Sequence, residues 1–86
     1  MESRVDLLQL DLFRLIREFM GALAEEVIVH LKQGTTEGFL NSERCIFFDQ
    51  KAALINARNA FDQMQSDDPD WDIIQSNMDE IKELIQ

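Results

Sequence analysis

From Ser66 to Ile85 the chain reads SDDPDWDIIQSNMDEIKELI, which specifies a helix together with its start. Asp68 is placed to cap it. Pro69 suits the first helical position, where its missing N–H is harmless, and Asp70 and Asp72 complement the positive end of the helix. Trp71, Ile74, Met78, Ile81 and Ile85 then recur at alternating three- and four-residue steps along one face, predicting a helix over 69–85. The preceding apolar pattern stops near Ser66, so the connection is short and the two helices pack antiparallel.

That preceding pattern predicts a helix over 42–66, with Asn41 or Ser42 as its cap and Glu43 in its first turn. Ile46, Phe47, Ala53, Leu54, Ala57, Phe61 and Met64 form its expected buried stripe. Alanines at 53, 57 and 60 let a neighbouring helix approach closely. The longest pattern lies upstream, where Val5, Leu8, Leu12, Leu15, Ile16, Phe19, Leu23 and Val27 keep helical spacing. A second set, Leu10, Phe13, Met20, Ala24, Ile28 and Leu31, widens the apolar face beyond what one neighbour covers.

Gly21 falls inside this pattern without shifting its register, so the sequence favours one continuous helix over 3–33 that Gly34 stops. Phe39 and Leu40 are expected to fold back onto the core. The expectation is an all-α fold, a small antiparallel bundle of three helices in a single domain spanning 1–86. Its surplus face on the first helix is to be completed by a second copy or another protein. Small chains gain from such an interface, because they bury a smaller share of their surface than large ones.

Charge narrows the partners. Seventeen acidic residues against eight Lys and Arg give a net charge of −9, which repels nucleic-acid phosphates and anionic lipid. From Asp62 onward the acids are opposed by Lys82 alone. No apolar run approaches the roughly 20 residues of a membrane span, and acidic and basic residues interrupt the first 24 positions where a signal peptide would need an apolar core. One cysteine, Cys45, gives no intrachain disulfide and suits a reducing compartment. A cytoplasmic protein is expected, without nucleic-acid or membrane partners.

The residues that could carry chemistry have structural explanations. Asp68, Asp70 and Asp72 imitate the opening of a calcium loop, with Asp79 at its twelfth position, but Ile73 occupies the position that needs glycine and Pro69 starts a helix through the ligands. His30 has no His or Cys partner at helical spacing, so it reads as a packed or rim histidine. Cys45 reads as a structural thiol. Phosphate loops, nucleophile elbows and zinc-helix motifs are missing, so neither catalysis nor a cofactor is expected.

Ala57 to Gln86, ARNAFDQMQSDDPDWDIIQSNMDEIKELIQ, resembles the end of the α-helical lid of Hsp70-type chaperones. There, a helix with a small-residue and apolar stripe leads through an acidic turn into a helix patterned like Asp70, Trp71, Ile74, Met78 and Ile81. The likeness extends over 42–86. It implies a helical bundle that binds protein and carries over no catalytic residue; the nucleotide-binding and peptide-binding domains of those chaperones have no counterpart here.

The expected function is a non-catalytic protein-interaction module, a small acidic adaptor or regulator that binds another protein, and the isolated chain is expected to run as a homodimer. Its interface is assigned to Leu10, Phe13, Met20, Ile28, Leu31 and Trp71. The alternative is an acidic decoy or inhibitor that occupies a basic site on a nucleic-acid-binding protein or toxin.

Overall fold

The computed structural model describes residues 3–85, which are helical with no strand among them. Helix α1 spans Arg4–Met20, α2 Ala24–Gln33, α3 Thr36–Leu40, α4 Phe48–Gln65 and α5 Trp71–Ile85. A 3-10 turn, Gly21–Leu23, separates α1 from α2. The radius of gyration, 12.2 Å, matches the roughly 12 Å of a fully packed chain of this length.

The continuous first helix does not form. Ser3 caps α1 through a 3.2 Å bond from the Asp6 N–H, and the helix ends at Gly21, whose φ of 58° a side chain would resist. The break lets α2 return along α1, bringing the Lys32 ammonium to 5.4 Å from the Phe13 ring centroid. This reversal buries the second apolar set except Leu10, which stays exposed: Phe13, Met20, Ala24, Ile28 and Leu31 all lie in the core. A pattern too wide for one helix thus serves two helices that cover each other. The surplus face expected on the first helix is consumed within the chain.

Helix α2 stops where expected. Gly34 adopts φ 73°, its N–H bonds to the Leu31 carbonyl, and the Thr35 N–H reaches the His30 carbonyl at 3.0 Å. This is the paired closure that left-handed glycine permits after a helix. Phe39 folds back into the core from α3, with Leu40 half-buried beside it.

The second long helix begins at Phe48, six residues later than expected. Ser42 cannot cap it, because its hydroxyl donates to the Phe39 carbonyl at 2.7 Å and accepts from the Arg44 N–H at 3.3 Å, which closes α3. Residues 41–47 form a connecting strap. Ile46 and Phe47 therefore leave the core, while Ala53, Leu54, Ala57, Ala60, Phe61 and Met64 fill it.

Helices α4 and α5 form the expected hairpin, with a shifted cap. Asp70, rather than Asp68, caps α5: its Oδ1 accepts from the N–H groups of Asp72 and Ile73 at 3.1 and 3.2 Å. Its own N–H donates to the Gln63 side-chain carbonyl at 3.1 Å, fastening the turn to α4. That hold on the Asp70 N–H, with the Asp70 carboxylate turned onto the first turn, sets the helix start after Pro69. Ile74, Met78 and Ile81 then meet the α4 stripe in one shared core.

Candidate interaction surface

Among the large apolar side chains that the core leaves exposed, Leu7, Leu10, Val29, Ile73 and Ile85 are between 39 and 53 % exposed, and one consecutive run stands out further. Ile46 is 65 % exposed, Phe47 62 % and Phe48 81 %, three consecutive residues at the start of α4. At about 100° per residue, Phe48, Ala52, Ile55 and Asn59 share a face directly opposite the buried Ala53, Ala57, Phe61 and Met64. Ile55 is 40 % exposed, so the tip continues down α4 as an apolar strip. With roughly 150–250 Å² in each aromatic side chain, these exposures leave about 400–500 Å² of apolar surface. The largest apolar patch of a typical monomer is of that size, roughly 300–600 Å², and is often functional.

The strap holds this strip in place. Cys45, immediately before it, is fully buried, and its N–H bonds to the Ser42 carbonyl at 3.3 Å. Burial pushes the Cys45 thiol up from its ordinary 9.0, partly offset by Lys51. One residue earlier, the Arg44 guanidinium pairs with the Glu26 carboxylate of α2. Anchored twice, the chain turns Ile46, Phe47 and Phe48 outward. Phe47 occupies the α4 cap position without a side-chain bond to the helix, so capping does not explain why an aromatic residue stands there.

The residues singled out in the sequence lie elsewhere. Phe13, Met20, Ile28 and Leu31 are between 3 and 8 % exposed and cannot touch a partner without opening the core. Phe13 instead stacks on Phe61, ring centroids 6.2 Å apart. Leu10 is 53 % exposed beside Leu7, with Asp11 and Arg14 paired at the adjoining turn. Trp71 is half-buried, with the Arg4 guanidinium 4.2 Å above its ring, so α1 and α5 start side by side. Ile46 and Phe47 were legible only as stripe members, because their spacing fits a helix that the strap prevents.

His30 is half-buried, its Nδ1 2.6 Å from the Thr35 hydroxyl and its ring centroid 5.4 Å from Phe39. It fastens the end of α2 to α3. Among the described residues no group of three or more His, Cys, Asp or Glu could hold a metal ion. Of the acids at the α5 start, Asp70 is engaged in capping the helix. Between α1 and α5 lies an open groove of about 320 Å³, lined by Leu8, Leu15 and Met78 and edged by Arg14, Glu18 and Lys82. Its mixed charges and shallow floor set up no reacting pair. Among the described residues no helix is long and apolar enough to cross a membrane.

Comparison with protein families, curated proteins and solved structures finds no match, so function is argued from this surface alone.

Proposed function

We propose that this chain is a non-catalytic protein-interaction module, whose binding surface is the strip formed by Ile46, Phe47, Phe48 and Ile55. One observation carries the reading: three consecutive large apolar residues stand more than half exposed while Arg44 and Cys45, immediately before them, are anchored to the rest of the fold. Covering each side chain fully returns roughly 1.5–3 kcal/mol. Four partly exposed ones give a partner several kcal/mol, enough to offset much of the cost of association. The surface once assigned to Phe13, Met20, Ile28 and Leu31 thus moves to α4. The lid-like resemblance of 42–86 supports the same class of function, since that hairpin also works by contact.

The competing reading is the acidic decoy, supported by the excess of acids from Asp62 onward. Salt and mutation separate the two. The immobilised chain is exposed to extract of its source cell at rising ionic strength, as wild type and as Phe48→Asp. Binding that survives about 0.5 M salt, where screening lengths fall to a few Å, and is lost in Phe48→Asp supports the apolar strip. Binding that salt abolishes and Phe48→Asp leaves intact supports the decoy.

A further inference from the structure

We infer that the chain has a second packed form, a dimer in which the α1–α2 segment straightens at Gly21 and each copy lays its α1 on the α2, α4 and α5 of the other. This form does not depend on the α4 strip. The first observation is local. Met20, at φ −90° and ψ −15°, Leu23, at −87° and −7°, and Ala24, at −58° and −46°, hold right-handed helical backbone, whereas Gly21 stands at φ 58° and ψ −121°. Rotation there, with the 3-10 turn relaxing, makes the folded-back segment one continuous helix. The apolar register suits both forms, because Ile16, Met20, Ala24, Ile28 and Leu31 keep four- and three-residue steps straight through the bend.

Little ties the bend shut. Gly21 and Ala22 are exposed, and no neighbour lies within 4 Å of a Cβ added at Gly21. Among the described residues the one ion pair across it joins Arg17 to Glu25 at 2.8 Å, between exposed side chains, where such pairs contribute little. A straight helix sets those two residues about 12 Å apart along its axis and loses the pair within the chain. In exchange the backbone gains the i to i−4 hydrogen bonds that the bend interrupts.

Helix α1 is the element that can change owner. Its core residues Leu12, Phe13, Leu15 and Ile16 need the sites that α2, α4 and α5 build, and a second straightened copy offers the same sites. Arg17 faces Glu25 and Phe13 faces Lys32, so α2 runs antiparallel to α1. A two-fold axis beside Gly21 therefore sets the two long helices antiparallel, each α1 alongside the α2 of its mate. The contacts of α1 then re-form between copies: Phe13 on Phe61, the Arg4 guanidinium over Trp71, Arg17 with Glu25. Exchange of an identical element is self-complementary and needs no new surface. Gly21 and Ala22 at the crossing let the two backbones approach closely.

The connection sets the concentration. A short link holds α1 near its own site at an effective concentration of about 1 mM, so the wild type pairs only toward that concentration. Alanine favours helix over glycine about four- to fivefold per chain, and the dimer holds two such positions, so Gly21→Ala tightens pairing about 15- to 25-fold, to roughly 50 µM.

The full chain is refolded from urea at about 500 µM, about tenfold above that constant, and its mass is read by light scattering after size exclusion. The expected result is a Gly21→Ala chain that is dimeric and as helical by circular dichroism as the wild type. The chain synthesised with D-alanine at position 21, which accepts positive φ, stays monomeric. Exchange is read by mixing Gly21→Ala chains that carry Arg17→Cys with others that carry Glu25→Cys before refolding. A short thiol cross-linker then joins unlike chains, because position 17 of each lies on position 25 of its mate; dimers formed without exchange keep those positions within one chain. A Gly21→Ala chain that is monomeric or unfolded at this concentration overturns the proposal. So does a D-alanine chain that pairs as strongly, or a dimer whose mixed chains do not cross-link.

Discussion

Phe13 separates two accounts of the first helical segment. As a surface anchor on a surplus face, its truncation to alanine would leave stability nearly unchanged. In the structure it is buried, stacked on Phe61 at 6.2 Å and approached by the Lys32 ammonium at 5.4 Å, at the junction of α1, α2 and α4. Removing a buried phenyl ring costs about 3–5 kcal/mol, including the cavity it leaves. An 86-residue chain has a total stability of roughly 4–13 kcal/mol. At about 4–8 °C per kcal/mol for a domain of this size, Phe13→Ala should lower Tm by at least about 12 °C. Thermal unfolding followed by far-ultraviolet circular dichroism measures this, with Phe48→Ala as the control expected within about 0.5 kcal/mol of wild type. A Phe13→Ala melt within two or three degrees of wild type, as an order-of-magnitude threshold, would refute the folded-back α1–α2 arrangement.

Gly21→Ala has an outcome whose sign is informative. On a continuous helix it would stabilise by about 1 kcal/mol, whereas at φ 58° it is expected to destabilise by about that amount in urea unfolding, although no neighbour lies within 4 Å of the added Cβ. Asp70→Ala removes the acceptor for two N–H groups and should cost about 0.5–2 kcal/mol, while Asp68→Ala should be close to neutral by the same assay. Cys45 should react slowly with a thiol reagent in the native protein and quickly in urea. Because folding raises its pKa above 9.0, its contribution is complete below that pH and lost as pH rises past it, so stability should decline in alkaline titration.

The parts of the fold governed by local rules were legible in the sequence. The α4–α5 hairpin followed from its apolar steps and acidic turn, and the end of α2 followed from Gly34. Where the reading departed, two local options competed and contacts distant in sequence decided. Gly21 kept the helical register on both sides, so periodicity could not reveal a break; the gain from folding α2 onto α1 is tertiary. Ser42 is as good a helix cap as a strap residue, and only the Phe39 carbonyl at 2.7 Å shows which role it takes. The site was misplaced for the same reason. Counting apolar positions shows how much surface a helix offers, but only packing shows which part stays uncovered. That packing buried Phe13, Met20, Ile28 and Leu31 and released Ile46 and Phe47, while Phe48 had no place in any stripe.

The central claim is that the chain works through the outer face of α4. Backbone amide spectra of the isotope-labelled full chain, recorded with and without extract of its source cell, test this residue by residue. The expected result is shifts and broadening concentrated on 46–59 that Phe48→Asp abolishes, with α1 and the α5 acids unchanged. Changes centred on Leu7 and Leu10 of α1, or on the acids from Asp62 onward, would contradict it.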